Sequence, residues 1–224
     1  MKENTEGFIP YRRDHYSDEE MIERSKKFYE WADTRRSVRH FSDKPVPKKV
    51  LENIIMTAST SPSGAHKQPW TFCLISNAKL KSTLRSLAEE EEKKSYGGRM
   101  SEEWLNDLEP LGTDWEKEFI DIAPWIIIVM KRAFELDAYG AKLHNYYVNE
   151  SVGLASGFLL AAIHNAGLVA LTHTPSPMNF ITKALNRPEN ERPFLLIPVG
   201  FPAEDAKVPD LVRKSIDEVI EYYD

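Results

Sequence analysis

Three arginines fall within five residues, Arg35, Arg36 and Arg39, with Ser37 and Val38 between them in the stretch TRRSVRHF. Guanidinium groups are planar, multidentate donors that match phosphate oxygens. A short hydroxyl and backbone N–H groups would complete such a cradle. Three arginines cannot all point one way in so short a segment, so two on a phosphate and one on another acceptor is a reasonable division. A solvated basic patch after a helix has the same composition, and the stretch alone leaves both readings open.

Three further stretches carry residues able to do chemistry. SPSGAHKQPW, with Pro62, Ser63, Gly64 and Ala65, is small enough for close backbone approach to a flat ligand, and equally resembles an ordinary helix-to-strand loop. LTHTP closes an apolar run; Thr172 and Thr174 are two apart and share a face of a strand, with His173 between them. Threonine is also simply a good strand former. In EEEEKKSYGGRM a run of acids, Glu89 to Glu92, leads to Tyr96 and a glycine pair, and Lys117 follows in DWEKEF. A carboxylate and an ammonium close together could hold an amino-acid zwitterion, although an acidic run is ordinarily a solvated helix face. The single cysteine, Cys73, lies in the apolar run WTFCLIS and reads as a buried thiol. Histidines in paired metal-ligand spacing, a G-x-G-x-x-G, a Walker A and a nucleophile elbow are all missing from the sequence.

These residues need a scaffold, and 224 residues are enough for one with a sizeable core. The net charge of −6 argues against general nucleic-acid binding, which rewards a basic surface. Residues 1–16 read as an extended arm. Ser17-Asp18-Glu19-Glu20 forms a capping box that opens a helix to about Asp33. Leu51, Ile54, Ile55 and Ala58 predict an amphipathic helix. WTFCLIS, WIIIVMK, LVALTHT and PFLLIPVGF read as strands. AKLKSTLRSLAEEEEKK reads as a helix, 101–122 as two short helical pieces carrying Trp104 and Trp115, and MNFITKALN as a short helix. The longest helical pattern covers 138–166, with Gly167 as its stop, and the tail VPDLVRKSIDEVIEYYD is expected to end in a helix. Strands separated by helices without strict βαβ alternation predict an α+β or three-layer architecture. The N-terminal residues lack the apolar core of a signal peptide and no apolar run approaches a membrane span, so the expected location is cytoplasmic.

RRSVRHF, PVPKKVLENIIMTASTSPSGAHKQPWTF, NAGLVALTHTP, LLIPVGFP and VPDLVRKSIDE together resemble the FMN-dependent nitroreductase superfamily from about Ser17 to the C-terminus. SPSGAHKQPW, E-x-x-x-Y and DWEKEF are similar to its branch that dehalogenates iodotyrosine. The resemblance implies a three-layer α/β/α sandwich with a mixed, mostly antiparallel sheet, residues 17–224 as one FMN domain, a lid at about 89–117, and an intertwined homodimer with shared active sites. It implies that Arg35, Arg36, Ser37, Val38, Arg39 and Arg213 hold the FMN phosphate and ribityl chain. Pro62, Ser63 and Gly64 would lie on the flavin. Thr174 would place a hydroxyl at flavin N5 and favour one-electron chemistry, with Thr172 and His173 alongside. Glu92, Tyr96 and Lys117 would bind the ammonium and carboxylate of the substrate, and the Ala65 backbone its phenolate. The E-x-x-x-Y spacing selects Glu92 over Glu91. Electrons would come ultimately from NAD(P)H through a separate reductase. The strand end reads T-H-T where membrane-anchored animal members have T-T-T, and Thr174 is retained. A general FMN nitroreductase or quinone reductase, and a non-catalytic flavin- or halotyrosine-binding protein, are the alternatives.

Overall fold

A computed structural model describes residues 7–223, within which the chain divides between Arg35 and Arg36 into two units. In the first, residues 8–17 carry no helix or strand, and the part of the expected arm at 1–6 lies outside the described residues. Helix α1, Asp18–Asp33, starts where the capping box predicts: the Ser17 hydroxyl accepts the Glu20 N–H, and the Glu20 carboxylate accepts the Ser17 N–H. Those two bonds satisfy donors that a helix start leaves unpaired.

The second unit is built on a sheet. Helix α2, Lys48–Ala58, precedes strand β1, Trp70–Ile75; helix α3, Ala78–Lys94, is followed by a wide turn at Ser95–Arg99 and helix α4, Glu102–Leu108. Next come the short helix α5, Phe119–Ile122, and strand β2, Trp125–Arg132. Strands β3, Phe134–Leu136, and β4, Lys142–His144, form a small hairpin before helix α6, Val148–Asn165. Strand β5, Val169–Ala170, helix α7, Asn179–Ala184, and strand β6, Glu191–Gly200, complete the elements. The main sheet has the order β1-β2-β6-β5, all antiparallel. One parallel bridge, Ser37 to Ala170, makes it mixed.

The run of apolar residues in β2 has a simple cause: both faces of the sheet are covered. Ile127 and Val129 pack with α2 and α6 through Leu51, Ile54, Val152, Ala155 and Leu159. Ile126, Ile128 and Met130 pack on the other face against Leu84 and Ala88 of α3, Ile120 of α5 and Ile181 of α7. Successive strand residues point to opposite faces, so a strand between two helical layers must be apolar throughout. The architecture is thus the expected α+β three-layer sandwich.

Four expectations about elements are corrected. The long helix begins at Val148 rather than at 138, because residues 138–147 form the β3–β4 turn, β4 and a left-handed Tyr147. Asp137 Oδ1 accepts the N–H groups of Tyr139 and Ala141, and Gly140 takes φ +83°, so that stretch is a turn. Trp115 lies between α4 and α5, not on a helix. The third strand is only Val169–Ala170, with one further bridge from His173 to Leu196. The tail forms a single short turn, Ile216–Glu218, with Val212, Val219 and Tyr223 exposed. The stop of α6 matches: Gly167, at φ +74°, donates to His164 O while Leu168 N–H donates to Ile163 O.

Candidate functional site

The four acids at the end of α3 separate by helical geometry. Glu90 is exposed and pairs with Lys94. Glu91 pairs with Lys94 and Arg99. Glu89 accepts from Arg85 Nε at 2.7 Å and from the Lys117 backbone N–H at 2.9 Å. Only Glu92 is buried, and its Oε2 stands 3.6 Å from Lys117 Nζ. That separation is an ion pair but too long for a hydrogen bond. The register chosen by E-x-x-x-Y is the one that brings Glu92 beside Tyr96 and Lys117.

Lys117 is only 2% exposed. Its ammonium donates to Asp114 O and lies 5.7 Å from the Tyr96 ring, while the Tyr96 hydroxyl donates to Thr113 O at 3.2 Å. Burial pulls Lys117 below the usual lysine range, against the pull of Glu92 and Asp114. Burial pushes the Glu92 carboxyl up, only partly offset by Lys117. Two opposite charges therefore sit in a poorly solvated place with unused bonding capacity, which suits capture of a molecule bearing both an ammonium and a carboxylate.

These groups line one cavity of about 170 Å³, together with Arg39, Thr172, His173 and Thr174. A larger groove of about 570 Å³ shares Arg39, Thr113 and Phe119 with it. Thr172 and Thr174 are exposed, as residues of one face should be, and the His173 ring turns inward to meet Phe119 edge-on at 5.7 Å. His173 Nε2 is buried without a hydrogen-bond partner among the described residues. Burial, with Lys117 and Arg39 nearby, drives its pKa down to about 3, so the imidazole is neutral. The Val38 N–H donates to Ala170 O, and this pins the segment carrying Arg39 beside the strand that leads to the threonines. Burial also lowers the Arg39 pKa, opposed by Tyr96.

Other expected residues lie elsewhere. Pro62, Ser63, Gly64 and Ala65 line neither cavity. Their loop is strained, with Ala65, His66 and Gln68 all at positive φ near +50°. A Cβ on Gly64 would come within 3.0 Å of Tyr146 O, and the Gly64 N–H reaches Ser151 Oγ at 3.4 Å. Arg35 closes the first unit, its N–H bonded to Ala32 O, and Arg36 opens the second. Arg213 lies in the exposed tail. Sequence reasoning missed the apolar wall of the cavity, Met100, Trp104, Leu108, Phe119 and Leu171. The four-residue spacing of Trp104 and Leu108 on α4 was the available signal.

The nitroreductase family profile matches residues 32–201. The chain is 59% identical to iodotyrosine deiodinase of Haliscomenobacter hydrossis, over 97% of this chain and 98% of that protein. Against human iodotyrosine deiodinase 1 it is 44% identical, over 98% of this chain and 76% of the human protein. A crystal structure of oxidized iodotyrosine deiodinase bound to FMN and 3-iodo-L-tyrosine superposes with a TM-score of 0.75 at 30% identity, covering 88% of this chain and 98% of that one. An FMN-bound nitroreductase from Bacteroides fragilis shares the fold, with a TM-score of 0.65 at 19% identity over 88% of this chain and 98% of that one. Among the described residues no helix is long and apolar enough to cross a membrane.

Proposed function

The chain belongs to the nitroreductase family, and from that premise we propose that it is an FMN-dependent reductive dehalogenase converting mono- and diiodotyrosine to tyrosine and iodide. The observation that carries this reading is the meeting of Glu92, Tyr96 and Lys117 in one cavity with Arg39 and Thr172–Thr174. A nitroreductase without amino-acid substrates has no use for a buried, half-satisfied Glu–Lys pair.

The residues present fit FMN. Arg39 offers a guanidinium already drawn into the site, Thr172 and Thr174 offer exposed hydroxyls, and His173 Nε2 is an orphaned polar atom in the same wall. Reduced FMN, when bound, supplies two electrons one at a time, so that an aryl iodide and one proton yield the arene and iodide. In this reading Arg35, Arg36, Ser37, Val38, Arg39 and Arg213 would hold the phosphate and ribityl chain, and the Thr174 hydroxyl would serve flavin N5, with Thr172 and His173 beside it. Glu92 takes the substrate ammonium, Lys117 its carboxylate, and Tyr96 closes over both as part of a lid at about 89–117. That closure orders the substrate and excludes water.

Pro62, Ser63 and Gly64 would cover the flavin, and the Ala65 N–H would bind the phenolate, from the second subunit of a homodimer. That these residues line neither cavity within one protomer supports that arrangement. We read the protein as cytoplasmic, with a separate NAD(P)H-dependent reductase as electron source. The test is iodide release from 3-iodotyrosine by the purified, chemically reduced holoprotein. Rapid turnover of a nitroaromatic with no iodide release would overturn the proposal.

A further inference from the structure

Glu89, Glu92, Lys93 and Tyr96 follow the spacing i, i+3, i+4, i+7, one face of a helix. All four touch the same short segment, Thr113–Lys117. Glu92 and Tyr96 line the cavity; Glu89, Lys93 and Trp115 do not. Glu89 Oε1, held by Arg85 Nε at 2.7 Å, accepts the Lys117 backbone N–H at 2.9 Å. Lys93 Nζ stands 3.9 Å over the Trp115 ring, a close cation–π contact.

We propose that Glu89, Lys93 and Trp115 are positioning residues that form a latch on the outer side of the lid, fixing the Thr113–Lys117 backbone against α3 and so setting where the Lys117 ammonium meets a carboxylate. This rests on the reading of Lys117 as the carboxylate-binding residue. A lysine ammonium rides on four flexible carbons, so its position is defined only if its backbone is held. The latch holds that backbone at Lys117 itself and two residues before it. Without it, part of the substrate's binding energy goes into ordering the segment, and the ordered state, once reached, is the same. Affinity suffers and the chemical step does not. Burial raises the Glu89 carboxyl, but Arg85, the Lys117 N–H and Lys93 outweigh it and leave Glu89 below the usual range, so the latch is charged at neutral pH.

The test uses holoprotein carrying Lys93→Ala or Trp115→Ala, with Lys93→Arg and Trp115→Phe as conservative partners. KM for 3-iodotyrosine should rise about two- to fivefold in the alanine variants, the loss of one cation–π contact between an exposed lysine and a half-buried tryptophan. Turnover number, FMN content and activity on 2-iodophenol should be unchanged, and the conservative variants should restore KM. Hydrogen exchange at the Lys117 amide in substrate-free holoprotein should quicken in the alanine variants. That readout does not depend on deiodination: if wild-type protein releases no iodide yet the amide loses protection, the functional reading fails and the latch stands. Unchanged exchange with unchanged KM overturns the latch, as does equal loss of both substrates together with FMN.

Discussion

Glu191, at the start of β6, accepts hydrogen bonds from Thr71 at 2.7 Å, from Arg187 at 2.7 and 3.1 Å, and from Arg132 at 3.3 Å; among the described residues Glu92, on α3, has one ion-pair partner, at 3.6 Å, too long for a hydrogen bond. Both carboxylates are buried. Burial pushes each of them up, and at Glu191 the arginines and the threonine more than cancel the push, leaving it below its ordinary value. At Glu92 the single lysine does not, and the value stays raised. The first acid is finished by the fold and ties β1, β2 and the start of β6 together. The second is left incomplete, which is what a group awaiting a ligand should look like.

That contrast can be broken by exchanging the pair at the site for uncharged residues of similar size. The double variant Glu92→Gln/Lys117→Met should lose at least about 100-fold in affinity for 3-iodotyrosine, since truncating buried charge partners costs about 2–5 kcal/mol. Its melting temperature should be equal to or above that of the wild type, because replacing a buried ion pair is often neutral or stabilising. Calorimetric titration and a thermal melt decide; a marked fall in melting temperature would mean that the pair is structural after all.

Glu191→Ala should do the reverse. It should lower the unfolding free energy by about 3 kcal/mol, the low end for a broken buried pair because both arginines are partly exposed. Denaturant unfolding measures it, and a loss under about 1 kcal/mol would reduce Glu191 to an ordinary surface pair.

Lys117→Ala sharpens the functional side. Its KM for 3-iodotyrosine should rise about 30-fold, one lost charge-assisted contact, while 2-iodophenol, which has no carboxylate, keeps its rate. Equal losses on both substrates would remove the zwitterion role.

The smallest expected effect is in pH. Glu92 is raised, so the charge proposed to bind the ammonium is lost as pH falls through a value above 4.5. Glu191 is lowered, so its contribution to stability is fully present above 4.5 and is lost only below that. Affinity should therefore weaken in acid down to pH 4.5 while circular dichroism still reports a folded chain. On the alkaline side, Lys117 should lose its charge below the usual 10.5. Simultaneous loss of binding and fold in acid would collapse the distinction between the two acids.

Much of this was legible in the residues, for identifiable reasons. The capping box at Ser17, the β2 run and the α6 stop at Gly167 are local signals, and the local chemistry is what the fold uses. Glu92 could be chosen from four glutamates because helix periodicity leaves one of them facing Tyr96. The misses came where tertiary context overrode local pattern. Residues 138–147 have helix-compatible spacing, yet an aspartate-and-glycine turn ending in a left-handed Tyr147 directs them into a hairpin. The tail Ile216–Tyr223 has an amphipathic pattern but packs no buried face, and a pattern without a surface to cover does not make a stable helix. The partners of Glu89 and Lys93 were invisible because they lie about two dozen residues downstream on a segment without regular structure.

One bridge just before the Thr172–Thr174 segment and one within it have a genetic consequence. Ser37 pairs with Ala170, and His173 exchanges both backbone hydrogen bonds with Leu196. The arginine–serine segment and the threonine segment are thus both measured off the same sheet. A single-codon deletion between Ala170 and Thr172 would shift the strand end by one position and invert it, sending the hydroxyls inward and the imidazole out. Point substitutions at Thr172 change one contact, whereas such a deletion rewrites the whole wall of the cavity. In a library of random variants this short interval should tolerate changes of letter far better than changes of length.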